Sequence, residues 1–255
     1  MATDTPTPTS TDNPLAGAAH FFRGFRLMVQ PGVRKWMVIP LLLNILVFAG
    51  GIAAGAAGFA ELVAWVQEAT PGWLDWLAWL LWPLFVVAAL LVVFYAFTLV
   101  AALVAAPFVG PLAAAVEVHL TGRAPEDGEG SALAIARGAL ADIGAEVRKL
   151  GYFAVRAIPL LVLFVIPVLN VLAPVAWFLF GAWGLAQEYL DAPLGNRGLR
   201  FPEQRPVLGR RRWTVLGFGT TAAVATAIPL VNFLVLPAAV AGATSLAVAR
   251  LPREG

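Results

Sequence analysis

Apolar and polar positions along this chain fall into long blocks. Four uncharged runs, at 36–60, 76–116, 157–187 and 213–249, separate five polar stretches. The first run, as a helix, covers about 37 Å and crosses a hydrocarbon core of about 30 Å with some tilt. Its second half, Gly50-Gly51-Ile52-Ala53-Ala54-Gly55, is rich in small residues and suits close helix packing. The second run is longer than one span needs. Pro83 trims one end and Pro107 with Gly110-Pro111 the other, which leaves 84–106 as the expected span. The third and fourth runs are broken by Pro159, Pro167 and Pro174, and by Pro229 and Pro237.

Charge decides how these blocks are threaded. Arg23, Arg26, Arg34 and Lys35 precede the first run, and Arg123, Arg137, Arg148, Lys149 and Arg156 lie between the second and third. Arg197, Arg200, Arg205, Arg210, Arg211 and Arg212 lie between the third and fourth, and Arg250 and Arg253 follow the last. The stretch between the first and second runs holds only Glu61, Glu68 and Asp75. Lys and Arg are retained on the cytoplasmic side of a membrane. Four polar stretches are therefore expected on one side, and only the stretch around 61–75 crosses. One straight helix per run would place the arginine-rich segment 197–212 outside. Dividing runs three and four into two helices each returns the chain to the side it entered. Half of run three covers about 23 Å and half of run four about 28 Å, short of the core thickness. Such a turn survives in a membrane only when protein or water covers it.

The expected fold is thus an all-α integral membrane protein with two full transmembrane helices at about 36–60 and 84–106, two re-entrant (hemi-penetrating) helical hairpins at about 157–187 and 213–249, and an amphipathic cytoplasmic helix at 131–156. Residues 15–28 read as a short interfacial helix, and 1–14, rich in Thr and Pro, as a disordered tail. A single membrane domain, 15–250, is expected, with 251–255 as a C-terminal tail. With 60% hydrophobic and 13% charged residues, the chain falls well outside the soluble range of about a quarter charged.

The same composition removes several chemistries. There are no cysteines, hence no disulfide, thiolate metal site or cysteine nucleophile. The two histidines, His20 and His119, both lie outside the apolar runs, and no run contains a charge. Paired histidines with a carboxylate, as intramembrane metalloproteases need, are missing, and so are the buried carboxylates of proton-coupled pumps. No enzyme, metal or cofactor is expected. Basic patches interleaved with aromatics, the mark of an RNA partner, are missing too. What remains is uncoupled passage of a solute through the bilayer, or an oligomeric membrane scaffold acting through the cytoplasmic helix.

Two patterns carry candidate chemistry. Ile39-Pro40-Leu41-Leu42-Leu43-Asn44, Ile166-Pro167-Val168-Leu169-Asn170 and Ile228-Pro229-Leu230-Val231-Asn232 each pair a proline with a nearby asparagine deep in an apolar run. Either the amides of Asn44, Asn170 and Asn232 cap broken helices, or they meet and line a hydrophilic path; both readings stand. The second pattern is Pro31-Gly32-Val33-Arg34-Lys35, a turn that opens a membrane helix. Its free N–H groups, the Arg34 fork and the Lys35 charge suit an oxyanion. The plain alternative is a positive-inside anchor on lipid phosphate. Arg210-Arg211-Arg212 reads as an orientation signal. Around Asp191, Pro193, Asn196 and Gly198, linked turns are expected, with Asp191 bonding N–H groups or an arginine.

Gly24-Phe25-Arg26-Leu27, Gln30-Pro31-Gly32-Val33-Arg34 and Ile39-Pro40-Leu41-Leu42-Leu43-Asn44 are followed, after Trp183, by Tyr189, Asp191, Pro193, Asn196, Gly198, Phe201 and Arg205. Then come Leu216-Gly217-Phe218-Gly219, Ile228-Pro229 with Asn232, and Pro237-Ala238-Ala239-Val240-Ala241-Gly242-Ala243-Thr244. Over about residues 17–250 this order and spacing resembles the CysZ family of bacterial sulfate permeases. The resemblance implies a multi-pass protein of the bacterial inner membrane that passes sulfate inward for cysteine synthesis; the one-sided bases, not the resemblance, place its N-terminus on the cytoplasmic side. The resemblance also implies two full spans, two partly penetrating hairpins and a homo-oligomer in the lipid bilayer. Sulfate, by the same resemblance, is held at a Gly-Leu-Arg turn, here Gly32, Val33 and Arg34, followed by Lys35.

Overall fold

In the computed structural model, which describes residues 12–69, 75–123 and 132–251, every regular element is a helix. In chain order these are α1 (Pro14–Leu27), α2 (Lys35–Ala69), α3 (Asp75–Thr121), α4 (Ala132–Val165), α5 (Ala173–Gly195), α6 (Phe201–Gly209), α7 (Arg212–Thr226) and α8 (Pro229–Arg250). A 3-10 turn, Leu169–Leu172, precedes α5. Three segments, Lys35–Gly55, Leu99–Thr121 and Leu169–Gly195, are long and apolar enough to cross a membrane.

The chain divides into two units. One, Lys35–Phe108, holds α2 and most of α3. Here the prolines do less than expected. α3 runs without a break through Pro83, Pro107 and Pro111, and α2 runs through Pro40 and on past Glu61 and Glu68. A proline deletes one backbone donor and bends the axis. Stopping the helix in lipid would leave several N–H and C=O groups unpaired, which costs more. The expected crossing loop at 61–75 therefore shrinks to the residues between Ala69 and Asp75; the Thr70-Pro71-Gly72 turn lies outside the described residues. The small-residue half of α2 has no close neighbour: a Cβ built on Gly50, Gly51, Gly55 or Gly58 meets nothing within 4 Å.

The other unit is a bundle of α1, α5, α7 and α8 around Phe21, Leu190, Leu194, Phe218 and Leu246, each fully or almost fully buried. α1 belongs to this core, with Phe21 edge-on to Phe218 at 5.8 Å. α1 and α8 run antiparallel, since Gly24 abuts Ala238 while His20 reaches Ser245. A Cβ on Gly24 would collide with the Ala238 carbonyl oxygen, and one on Gly219 with that of Ala182. Small residues let these backbones approach where larger ones would hold them apart.

Both later runs divide into paired helices. α4 and α5 are antiparallel: Phe164 lies 6.4 Å from Trp177, Phe153 lies 5.6 Å from Phe180, and the Lys149 ammonium donates to Glu188 at 2.6 Å. The link turns at 166–168, where Val168 takes φ 71 and ψ −46, close to a γ-turn that a β-branched residue rarely adopts. The link between α7 and α8 is Ala227-Ile228, with Pro229 as the first residue of α8. The helix expected at 131–156 does not stop before run three but continues through Pro159 to Val165 as one helix. The residues 124–131, including most of the loop after Gly122, lie outside the described residues.

Candidate functional site

Between α1 and α2 the chain makes one tight turn. Gln30 lends its carbonyl oxygen to two donors, the N–H groups of Val33 and Arg34, each at 3.0 Å. Gly32 sits at φ +87, a region that costs a side chain but not glycine. Val33 is 1% exposed and anchors the turn by its side chain. Arg34 and Lys35 are exposed, and the Arg34 guanidinium has no side-chain partner among the described residues. The Lys35 ammonium lies 5.3 Å from the ring centroid of Trp36.

This geometry revises the expected donor set. The Val33 and Arg34 N–H groups close the turn on Gln30. Lys35 and Trp36 are the first residues of α2, where opening N–H groups have no acceptor within the helix. Their donors therefore carry the positive end of the helix. An anion at this turn would meet donors flanking Arg34 and the Arg34 fork itself.

The three amides sit in two kinds of place. Asn170 and Asn232 are exposed at the turns of the two hairpins. Each closes its turn through its backbone, Asn170 N–H to the Ile166 oxygen at 3.0 Å and Asn232 N–H to the Ile228 oxygen at 2.9 Å. The repeated Ile-Pro-x-x-Asn thus encodes the turn itself, and its exposed amides have no side-chain partner among the described residues. Asn44 is different. It lies inside unbroken α2, with Oδ1 buried and unpartnered.

The segment after α5 is a connector. The expected turn at Asp191 and Pro193 is absent, because α5 continues to Gly195 and Pro193 is held inside it. Asn196 and Gly198 do form a turn, with Gly198 at φ +79. Asp191 accepts from the Gln204 amide at 2.7 Å rather than from an arginine. Asn196 donates to the Gly110 carbonyl at 2.9 Å.

Sequence reasoning missed the groups that hold this connector. Arg197 pairs with Glu117 at 3.0 Å, both side chains under 10% exposed, and also donates to the carbonyls of Ala247 and Leu251 at 3.2 and 2.8 Å. Glu117 had the look of a surface charge because it immediately follows an uncharged run. At the other end, Asp12 accepts from the N–H groups of Trp213 and Thr214 at 3.2 and 2.8 Å and so caps α7. Burial works against its charge, but hydrogen bonds from Thr214 and Trp213, with Arg211 nearby, hold the carboxyl below the usual range. His20 shares a 3.0 Å hydrogen bond with Ser245. Burial, then Arg250 and Arg23, push its imidazole down to about 4.

Over residues 20–237 the chain matches the family described as Sulfate transporter CysZ/Etoposide-induced protein 2.4. It is 41% identical over 232 residues to the Sulfate transporter CysZ of Pseudomonas aeruginosa (strain PAO1), covering 90% of this chain and 93% of that one. The Sulfate transporter CysZ of Pseudomonas fluorescens (strain Pf0-1) is 41% identical over 232 residues, 90% and 92% of the two chains. That of Pectobacterium atrosepticum is 38% identical over 243 residues, 94% and 87%. With three helices apolar enough to cross a bilayer, the protein is a membrane protein, and by sequence it belongs to the Sulfate transporter CysZ/Etoposide-induced protein 2.4 family.

Proposed function

We propose that this protein lets sulfate pass into the cell across the bacterial inner membrane, supplying cysteine synthesis, without an ATP drive of its own. The observation that carries the reading is the Gly32 turn: an exposed, unpartnered guanidinium beside free helix-opening N–H groups, in a chain 41% identical to proteins named sulfate transporters. Sulfate is a dianion whose desolvation in a hydrocarbon core is prohibitive. Arg34 and Lys35 concentrate it at one mouth. Gly32 and the opening turn of α2 supply donors that replace part of its water. Neutral amides, with Asn170 and Asn232 at the hairpin turns and Asn44 in α2, hold an anion weakly enough to release it.

The hairpins enter the membrane and return, in this reading. The last charge on α4 before its tip is Arg156, so its apolar arm is 157–165, about 14 Å as a helix. That is half of what a span needs. α5 alone is long enough to cross, but its antiparallel partner is not, and Lys149 is tied to Glu188 on α5. The two arms therefore stop at a common depth. The N-terminus is cytoplasmic, on the side of the basic stretches. The open glycine face of α2 supports a homo-oligomer, since small residues in a membrane helix pack against another helix.

The direct test is Arg34→Ala. A charge-assisted hydrogen bond is worth about 1.5–3 kcal/mol, so sulfate binding to the purified variant should weaken about 10- to 100-fold with the fold intact. Unchanged binding removes Arg34 from the site. Proteoliposomes that carry no sulfate flux at any concentration overturn the transport reading as a whole.

A further inference from the structure

Tyr152, on α4, carries two guanidinium groups on one ring. Arg156, one turn along the same helix, places its Cζ 3.6 Å from the ring centroid. Arg205, on α6, places its Cζ 4.4 Å from the same centroid. Both lengths end at one point, so the two cations lie no further apart than the lengths combined. Phe153 and Phe201 brace the ring edge-on at 5.2 and 5.5 Å, and Phe201 is itself buried. The platform is thus fixed to the body of the bundle. Cation–π attraction to the shared ring works against the repulsion of the two like charges.

Among the described residues no carboxylate pairs with either arginine. Both arginines are exposed, and among the described residues neither makes an ion pair or a hydrogen bond. Of the described carboxylates on the neighbouring helices, Glu188 accepts from Lys149, and Glu203 accepts from the Arg200 backbone N–H. Contact with the ring consumes none of the N–H donors, which make no hydrogen bond among the described residues. Two guanidinium groups tethered to one ring suit a tetrahedral oxyanion, which offers several oxygens to N–H donors at about 2.8 Å. Arg156 is also the last charge before the apolar arm of its hairpin.

We propose that Arg156 and Arg205, clamped on Tyr152, bind a tetrahedral oxyanion, either the phosphate of an anionic lipid headgroup or a free dianion. The site does not depend on the Gly32 turn or on transport. The test uses the full chain in neutral detergent and follows the unfolding midpoint during two titrations. One compares phosphatidylglycerol with phosphatidylcholine, and the other compares sodium sulfate with sodium chloride at matched ionic strength. The intact protein should be stabilised by at least one of the two anions, and R156Q/R205Q should need at least tenfold more of it. A response confined to phosphatidylglycerol names the lipid. A response to sulfate that persists in Arg34→Ala names the free dianion and separates this site from the turn. If R156Q/R205Q does not fold, the single variants Arg156→Lys and Arg205→Lys keep the charge but lose the planar fork, and each should weaken the response severalfold. Variants that respond like the intact protein, or an intact protein that responds to neither anion, overturn the site.

Discussion

α2 and α8 are built from similarly apolar stretches and end in opposite surroundings. Nothing in the first span-length segment of α2 is buried within the chain, whereas α8 is almost wholly buried from Ala238 to Ala247. Total hydropathy does not separate them. In water, burying Leu41 or Leu42 would be favourable; in lipid, it gains almost nothing, because the tails are as apolar as the side chain. What draws membrane helices together is close approach. α8 offers Ala238, Gly242 and Ser245 to the matching Gly24, Phe21 and His20 of α1. α2 offers Gly50, Gly51 and Gly55 to nothing within 4 Å among the described residues. Small residues are thus necessary for tight packing but take effect only where a second helix carries the complementary surface.

The sharpest way to break this comparison is to add bulk on each side of it. Gly24→Leu drives a side chain into the Ala238 carbonyl and should prevent assembly of the bundle. It should be lost as aggregate, or lose the monodisperse peak on size exclusion in detergent. Gly51→Leu adds the same volume where nothing stands within 4 Å and should leave the unfolding midpoint of the detergent-purified monomer within about a degree, as surface changes of under about 0.5 kcal/mol do. Equal damage from both would show that the glycines of α1 and α2 serve one role.

Next in size is the buried ion pair. Arg197→Gln leaves Glu117 charged and buried and also uncaps the end of α8 at Ala247 and Leu251, which should cost about 3–5 kcal/mol. The double variant Arg197→Gln/Glu117→Gln removes both charges and should recover part of the loss. Denaturant or thermal unfolding of the single and double variants checks the coupling. Full additivity would mean that the pair is incidental.

How much of this was legible beforehand depended on whether the deciding physics was local. The division of runs three and four into separate helices was readable, because Ile166-Pro167 and Ile228-Pro229 put a proline in the middle of each run and the chain breaks there. The continuity of α3 through Pro107 and Pro111 was not, because a proline reads locally as a stop. Only the absence of water makes the alternative worse. The turn at Gly32 and the exposure of Arg34 were expected from Pro31-Gly32-Val33-Arg34, yet the N–H groups of Val33 and Arg34 are taken by Gln30, a pairing that composition does not announce. Arg197 and Glu117 are 80 residues apart, and Asp12 and Thr214 are 202 apart. Such partners follow from the fold and cannot precede it.

The caps come next. Asp12→Ala removes the acceptor for the first donors of α7 and should cost about 1 kcal/mol; the cost declines as pH falls below 3.8, where the unfolded chain protonates first, and is gone only once the pH is below the lowered value of the folded carboxyl. An unfolding midpoint unchanged at neutral pH would show that the ordering of the N-terminal segment contributes nothing to α7.

The effect that vanishes at neutral pH concerns His20, and its sign follows from burial. The imidazole titrates at about 4 in the fold against 6.5 when free, because burial and the charges of Arg250 and Arg23 disfavour its cation. The unfolded chain therefore binds the proton more readily, and acid favours unfolding. Above pH 6.5 both states are neutral at this site and nothing is lost. As pH falls from 6.5 toward 4 the destabilisation grows, and below 4 it levels off. His20→Asn preserves a polar partner for Ser245 while removing the titration, so its unfolding midpoint should fall less than that of the intact protein between pH 6.5 and 4.5. Parallel pH profiles for the two proteins would mean that the α1–α8 contact tolerates a charged imidazole, and that the glycine packing alone holds these two helices together.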